Sequence, residues 1–293
     1  MERGYLDRLA ARTSAVESVL CLGIDPDPAE IPAASFGSGL AGVQRFARLV
    51  LEAASPFAAA VKANLAFFEA FGAPGMRALE RLRAATPAEL PFIVDAKRGD
   101  IGSTAARQAV ALFDALGADA ITVNPYVGGE AIAPLLERPG RFAYVLCRTS
   151  NPGAGELQDL IVAADAAAGA PAEPLWARVA RRAMTWDEDG SVGLVVGATA
   201  AAELAAVRAL VPGLAFLVPG VGAQGAAVEP VLRAGPAIAP PAGRRAGGGL
   251  LVNVSRAIAR AASEDPRSGA RKDAGERLAE AAREWSGRLP VLP

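Results

Sequence analysis

Short apolar runs recur along this chain, and segments with helical spacing separate most of them. The runs alternate little between apolar and polar positions, which is typical of strands buried on both faces of a parallel sheet. We predict eight strands, at residues 18–26, 58–65, 92–97, 120–125, 142–150, 192–198, 215–220 and 249–254. Helices are predicted at 4–17, 39–54, 75–86, 171–186, 200–210 and 268–286. Ser103 or Thr104 can cap one more helix, which is expected to run to about Leu116.

This alternation of strand and helix over about 250 residues is typical of a (β/α)8 TIM barrel, an α/β fold. Because no linker divides the sequence, we expect residues 1–293 to form a single (β/α)8 barrel domain. Beyond the regular strand–helix units, we expect an N-terminal helix at about 4–17 and a long connection at about 154–190, between the fifth and sixth strands. An open, doubly wound sheet is the competing architecture, since a strand count taken from sequence fixes the fold only weakly.

The composition narrows the class of protein. Hydrophobic residues make up 52% of the chain, the net charge is −1 and the pI is about 5.8. Without the basic face that nucleic acid requires, we expect no nucleic-acid partner. No signal-peptide core and no unbroken apolar stretch of about 20 residues is present, so we expect a cytoplasmic protein without a membrane partner. Cys21 and Cys147 lie in apolar runs and are predicted to be buried thiols rather than a disulfide.

The most strongly charged strand end follows the third apolar run, where Asp95, Lys97 and Asp100 stand close together. Asp95 and Lys97 are two residues apart, so in a strand their side chains share a face. Asp100 lies beyond the strand, where it can turn back or reach a neighbouring subunit. Since the chain contains no His, acid–base chemistry must use Lys, Asp, Glu, Tyr or Cys. We therefore predict an active site here, with a surface ion-pair cluster as the alternative.

Polar residues also stand at the first two strand ends, which would meet the third at one mouth of a barrel. The second strand carries Lys62 and Asn64, two residues apart, and the first ends at Asp25. A buried ammonium without a partner is costly, so we expect Asp95 or Asp25 to pair with Lys62. Asp25 could equally cap the segment that follows it.

The last two strand ends predict a phosphate site. A glycine-rich turn with Gly220, Gly222, Gln224 and Gly225 follows the seventh strand, and Arg256 begins a helix after the eighth. Glycines let backbone N–H groups approach an anion, and a guanidinium binds phosphate through two parallel hydrogen bonds. The alternative is an ordinary turn beside a surface arginine. Together, the strand ends indicate a barrel enzyme that acts on a phosphorylated small molecule.

The same segments resemble, in order, the motifs of the orotidine 5′-phosphate decarboxylase family, in its longer bacterial subgroup. The most specific is Asp-x-Lys-x-x-Asp-Ile-x-x-Thr at 95–104. The others are Gly-Ile-Asp-Pro at 23–26, Lys-Ala-Asn at 62–64, Arg-Thr-Ser-Asn-Pro-Gly at 148–153, Pro-Gly-Val-Gly-Ala-Gln-Gly at 219–225 and Asn-Val-Ser-Arg-Ala-Ile at 253–258. The resemblance implies a homodimer with shared active sites. It also implies cofactor-free, metal-free conversion of orotidine 5′-monophosphate to uridine 5′-monophosphate and CO2, in de novo pyrimidine biosynthesis.

The resemblance also implies roles for individual residues. Lys97 would protonate C6 of the pyrimidine as CO2 leaves, and Asp95 would lie near the substrate carboxylate and hold Lys97. Lys62 and Asp25 would contact the ribose, and Asn64 is expected among the substrate contacts. The remaining assignments place Asp100, Ile101 and Thr104 in the partner's site, Ser150 at the pyrimidine amide edge, and Gln224 and Arg256 on the phosphate.

Two other functions compete with this interpretation. A sugar-phosphate decarboxylase or aldolase of the same barrel superfamily would share the Asp-x-Lys-x-x-Asp motif but use Mg²⁺ held by carboxylates. Such a metal-using relative would favour a carboxylate where this chain has Lys62. The other competitor is a barrel that binds a phosphorylated ligand without catalysing a reaction.

Overall fold

The computed structural model describes residues 4–167, 169, 171–187, 189–222, 227–263 and 273–292. Its centre is a closed barrel of eight parallel strands, in which each strand pairs with its neighbours in chain order and the last pairs with the first. The strands are β1 Leu20–Ile24, β2 Ala60–Asn64, β3 Phe92–Arg98, β4 Ala120–Val123, β5 Phe142–Arg148, β6 Val192–Val196, β7 Ala215–Pro219 and β8 Leu251–Val254. All eight predicted strands and the (β/α)8 barrel are thus confirmed, and the open sheet is wrong.

Helices surround the barrel and follow most of its strands. They are α1 Tyr5–Val16, α2 Ala33–Phe36, α3 Gly39–Ala54, α4 Ala66–Glu69, α5 Gly72–Ala85, α6 Gly102–Ala109, α7 Ala133–Leu136, α8 Gly155–Gln158, α9 Leu175–Trp186, α10 Ala201–Leu210, α11 Val228–Ala234, α12 Arg256–Ala259 and α13 Ala274–Arg288. Within the described residues, no helix has both the length and the apolar character that crossing a membrane requires.

The predicted helix at 171–186, in the connection between β5 and β6, begins later in the structure. It spans Leu175–Trp186, because Glu173–Pro174 is extended and pairs antiparallel with Ile161–Val162. Two arginines on α9, Arg178 and Arg181, bind the Glu173 carboxylate at 2.8 and 2.9 Å. The extended segment is therefore fixed to the start of the helix.

The helix after β3 differs from the prediction at its beginning. Its N-cap is Ile101, in extended backbone, and no side chain makes a capping hydrogen bond there. The carbonyl of Ile101 accepts the first helical bond from the amide of Thr104, at 3.1 Å. Ser103 and Thr104 therefore lie inside the first turn, and the prediction that one of them caps the helix is wrong. After Ala109 the chain continues as the π-helix Val110–Ala115.

Inward-facing side chains fill the barrel at the end where the strands begin, and α1 closes this end. Tyr5, Leu6 and Leu9 of α1 belong to the buried cluster inside the barrel. The Tyr5 ring stacks on Phe142 with centroids 4.7 Å apart, and its hydroxyl lies 3.1 Å from that of Tyr144. The barrel interior is thus apolar at this end, and the polar residues predicted for the site lie at the other end, where the strands finish.

The two cysteines are buried and reduced, as the sequence predicts. Burial raises the pKa of Cys21 to about 12, and burial likewise raises that of Cys147 to about 12. Both thiols therefore stay protonated and unreactive near neutral pH.

Candidate active site

The carboxyl ends of β1, β2 and β3 bring four charged side chains together. Lys62 Nζ lies 3.1 Å from Asp95 Oδ2 and 3.7 Å from Asp25 Oδ1. Lys97 Nζ lies 2.7 Å from Asp95 Oδ1. Asp95 thus lies between two ammonium groups. The predicted pairing of Lys62 with Asp95 or Asp25 is confirmed, and both carboxylates lie within ion-pair distance. We call Asp25, Lys62, Asp95 and Lys97 the charged array.

Strand β3 leaves regular geometry where it supplies Lys97. The backbone of Lys97 has a φ of 47°, in the left-handed region, which costs a side-chain-bearing residue about 1–3 kcal/mol. The pairing of β3 with β4 also shifts register between Val94 and Arg98. Local strain of this kind persists where surrounding contacts hold it, and it is common at functional sites.

Thr122 of β4 is one of those contacts, and it lies outside the residues that the sequence pattern predicts at the site. Its hydroxyl donates to Asp95 Oδ1 at 2.8 Å and accepts the backbone N–H of Lys97 at 3.0 Å. One buried hydroxyl therefore fixes both the carboxylate and the strained backbone. A threonine inside an apolar strand is a common β-former, so the sequence carries no signal for this role.

The electrostatics of the array favour the charged forms of Asp95 and Lys62. Burial by itself would raise the pKa of Asp95, but Lys62 and Lys97 outweigh burial and hold this pKa below its ordinary value. Burial would likewise lower the pKa of Lys62, but Asp25 and Asp95 hold it above its ordinary value. Lys62 is only 4% exposed, whereas the side chain of Lys97 is 50% exposed. Lys97 is thus the ammonium that faces the open mouth.

The other residues predicted near β2 and β3 lie outside the array in a single chain. Asn64 Oδ1 accepts the N–H of Ala66 at 3.1 Å, which is a local turn contact. Asp100 Oδ1 accepts the N–H of Ile101 at 2.8 Å, and Asp100 forms no ion pair with either array lysine in the described structure. Ile101 and Thr104 are exposed beside it. Within the described part of one chain, then, Asp100 forms no ion pair with the charged array.

Ser150 lies at the mouth, just beyond β5. The neighbouring Gly197, just beyond β6, allows this close approach, because a Cβ on it would lie 2.7 Å from Ser150 Cβ. Ser150 is half-buried between these two strand ends.

The turn after β7 and the helix after β8 are neighbours, as a shared phosphate site would require. Gly220 and Gly222 have φ values of 101° and 82°, which only glycine adopts without strain. A Cβ on Gly222 would lie 3.3 Å from that of Ala257, so the turn packs beside α12. Arg256, the first residue of α12, is exposed. Gln224 and Gly225 lie outside the described residues, and the phosphate site stays a prediction.

Three buried oxygens at the seam between β1 and β8 have no hydrogen-bond partner in the described structure: Asp25 Oδ1, Asn253 Oδ1 and Ser255 Oγ. Gly23 makes room for the side chains of Asn253 and Ser255. A Cβ on Gly23 would lie 3.0 Å from Asn253 Oδ1 and 2.6 Å from Ser255 Cβ. An unpaired buried polar group costs about 1–3 kcal/mol, and such groups are characteristic of sites that bind a ligand or ordered water. Asn253 and Ser255 therefore join Thr122 among the polar residues of the mouth.

The array can act on a ligand as a preorganised cation beside fixed carboxylates. Asp95 stays ionised, holds Lys97 in place and can repel an anionic substrate group placed against it. Lys97 can donate a proton to an atom held above it. Among the described residues, no group of three or more Cys, Asp or Glu side chains is arranged to hold a metal ion.

Comparisons with known proteins agree with this geometry. Residues 18–272 match the model of the orotidine 5′-phosphate decarboxylase / HUMPS family. The orotidine 5′-phosphate decarboxylase of Herpetosiphon aurantiacus is 41% identical over 255 residues, covering 87% of this chain and 88% of the relative. That of Halorubrum lacusprofundi is 44% identical over 282 residues, with coverages of 94% and 96%. Among solved structures, the OMP decarboxylase of Leishmania donovani superposes with a TM-score of 0.78 at 38% identity, covering 97% of this chain and 96% of that one.

Proposed function

This chain belongs to the orotidine 5′-phosphate decarboxylase / HUMPS family, and from that premise we propose that it converts orotidine 5′-monophosphate to uridine 5′-monophosphate and CO2. The observation that carries the proposal is the charged array at the barrel mouth, in which Asp95 lies between Lys62 and Lys97. The proposed reaction is a step of pyrimidine biosynthesis and uses side chains without a cofactor.

In the proposed reaction, the bond between C6 of the pyrimidine and its carboxylate breaks, and the electron pair remains on C6. The ammonium of Lys97 gives its proton to C6 while CO2 departs, and Lys97 then regains a proton from water. Because the developing carbanion has little resonance stabilisation, a fixed positive charge beside C6 supplies much of what lowers the barrier. The 2.7 Å contact with Asp95 supports this role, since it holds the Lys97 ammonium in one place.

Asp95 has a second role in the proposal. Its lowered pKa keeps it ionised, so it would stand as a negative charge close to the substrate carboxylate. Loss of CO2 removes that repulsion, which favours the transition state over the bound substrate. Lys62, buried between Asp25 and Asp95, would keep Asp95 ionised and contact the ribose together with Asp25.

The rest of the substrate would extend across the mouth. We assign the pyrimidine amide edge to Ser150, further substrate contacts to Asn64, and the phosphate to Arg256 and to the turn that contains Gly220, Gly222, Gln224 and Gly225. The adjacency of Gly222 to α12 supports this phosphate assignment. Binding of a phosphate remote from C6 would supply energy that holds the reacting atoms in an enclosed site.

We also propose a homodimer in which Asp100, Ile101 and Thr104 complete the site of the other subunit. Two observations support it. Asp100 forms no ion pair with Lys62 or Lys97 in the described structure, and its carboxylate accepts the N–H of Ile101. Apolar side chains around this part of the mouth are exposed, with Ile101 at 50%, Tyr126 at 83% and Val127 at 42%. A second subunit would cover such side chains.

The proposal is tested by following loss of orotidine 5′-monophosphate absorbance on adding purified protein, with EDTA present. We expect rapid turnover by the wild type and none detectable for Lys97→Ala, although that variant should still bind uridine 5′-monophosphate. Arg98→Ala is the matched control, since Arg98 is the next cation of β3 but pairs with Glu69. It should keep most of the activity.

Each other outcome would contradict part of the proposal. Appreciable turnover by Lys97→Ala would exclude Lys97 as the proton donor. Activity that EDTA abolishes would favour the metal-dependent sugar-phosphate enzymes of the superfamily. Nucleotide binding by the wild type without turnover would indicate a binding protein.

A further inference from the structure

The end of the barrel opposite the charged array holds a second charged cluster, centred on Asp119 immediately before β4. Asp119 is 1% exposed, and its Oδ2 accepts the N–H of Phe92 at 2.9 Å. Three arginines converge on it. Arg8 Nη1 lies 2.6 Å and Arg141 Nη1 3.2 Å from Oδ1, and Arg83 Nη2 lies 3.6 Å from Oδ2.

This cluster has more positive than negative charge. Arginine stays protonated in proteins, so three guanidinium groups around one carboxylate leave an excess of about two positive charges. The other hydrogen bonds of the three arginines go to neutral carbonyls, those of Ala88, Gly117 and Ala118. The pKa of Arg83 is lowered, first by burial and then by Arg8 and Arg141, against the opposing effect of Asp119.

The three arginines line one open groove of about 1020 Å³, between α5 and the turns that precede β4 and β5. Several of their donors are unused, since Arg83 Nη1 and Arg141 Nε and Nη2 make no hydrogen bond to any described residue. Glu80 adds one carboxylate to the lining, but it is exposed and forms no ion pair with the three arginines in the described structure. The groove therefore combines excess positive charge, space and free donors.

We propose that this groove binds a phosphate dianion, either free phosphate or the phosphate group of a nucleotide. A dianion offsets the excess charge around Asp119 and occupies the unused guanidinium donors in the two-bond geometry that arginine forms with phosphate. Arg8 belongs to α1, Arg83 to α5 and Arg141 to the turn before β5. Binding therefore links the helix that closes the barrel to the barrel wall and raises the thermal stability of the whole chain.

The test compares the unfolding temperature in inorganic phosphate and in potassium chloride at equal ionic strength. We expect phosphate at tenfold its dissociation constant to raise the wild-type unfolding temperature by about 3 °C. Arg141→Gln should lose most of this rise. Arg48→Gln is the matched control, because Arg48 is an exposed arginine of α3 whose contact is Glu52. That variant should respond as the wild type does.

The comparison separates this groove from the active site. Phosphate bound at the opposite mouth would raise the unfolding temperature of the wild type and both variants equally. Only a difference in this rise between Arg141→Gln and Arg48→Gln therefore reports binding in the groove. An equal rise in all three proteins, or no rise beyond that in chloride, would overturn the proposal. If circular dichroism shows that Arg141→Gln does not fold, Arg83→Gln serves in its place, with the same expectation.

A second measurement identifies the source of the phosphate. A larger Arg141-dependent rise in unfolding temperature with ATP than with equimolar phosphate would identify a nucleotide, and an equal rise would identify the free ion.

Discussion

Lysine is rare in this chain, which uses arginine for nearly all of its positive charge. The sequence contains three lysines, Lys62, Lys97 and Lys272, and two of them belong to the charged array. Lysine can lose its proton when its surroundings favour the neutral form, whereas arginine keeps its charge. Lysine at the proposed catalytic mouth therefore suits a site that transfers a proton. Arginine around Asp119 suits a site that binds an anion without transferring a proton.

Thr122→Val removes one hydroxyl while keeping the size and branching of the side chain. The variant leaves the N–H of Lys97 without its partner and removes one of the hydrogen bonds to Asp95 Oδ1, which should cost about 1–3 kcal/mol of unfolding free energy. If Lys97 is the proton donor, its looser positioning should lower kcat about tenfold, with little change in KM. Steady-state kinetics and denaturant unfolding measure the two effects.

Thr122→Ser is the control for that substitution, because it restores the hydroxyl. It should recover most of kcat even though it loses a methyl group from the core. If the serine variant were as slow as the valine variant, packing rather than the hydroxyl would explain the loss.

Asp95 should make stability depend on pH below its ordinary pKa of 3.8. Its pKa is lowered in the folded state, so its ion pairs stabilise the fold fully above that value, and the contribution is lost as the pH falls below it. We expect the unfolding free energy of the wild type to drop more steeply between pH 4 and pH 2 than that of Asp95→Asn, as measured by urea unfolding. Parallel curves would show that Asp95 adds nothing to acid sensitivity.

At the scale of elements, the apolar runs were sufficient to predict the strands, because a strand buried on both faces must be apolar throughout. The two-residue spacing of Asp95 and Lys97 also predicted their shared face. The start of α6 was not predictable in this way, because the backbone at Ile101, rather than a hydroxyl, begins that helix. Thr122 and the Asp119 cluster depend on contacts between residues far apart in sequence, which local patterns do not encode.

Helix α1 closes the barrel, so its buried face should matter for stability and not for chemistry. Leu9 is 1% exposed against the barrel interior. Leu9→Ala should lower the unfolding free energy by about 2–5 kcal/mol, with kcat unchanged well below the unfolding temperature. Leu157→Ala is the matched control, since Leu157 is 59% exposed and its truncation should cost under about 0.5 kcal/mol. A fall in kcat for folded Leu9→Ala would show that α1 also shapes the mouth.

At the scale of the whole molecule, the two ends of the barrel carry different polar chemistry around one apolar interior. The mouth holds lysines paired with carboxylates at the strand ends, and the end closed by α1 holds arginines around Asp119. Within the described residues of a single chain, Asp100 forms no ion pair with the charged array, and apolar side chains at the mouth are exposed. A site completed by a second subunit accounts for both features.

This arrangement predicts that two inactive variants restore each other. In a heterodimer of Lys97→Ala and Asp100→Ala chains, one site receives Lys97 from one chain and Asp100 from the other, while the second site lacks both. Random exchange makes half of the dimers mixed, so an equal mixture should recover about a quarter of the wild-type rate. A mixture of Lys97→Ala with Asp95→Asn should recover nothing, because Asp95 and Lys97 contact each other within one chain. Exchange is verified with subunits that carry tags of different size. If mixed dimers form and the first mixture stays inactive, Asp100 does not act across the interface.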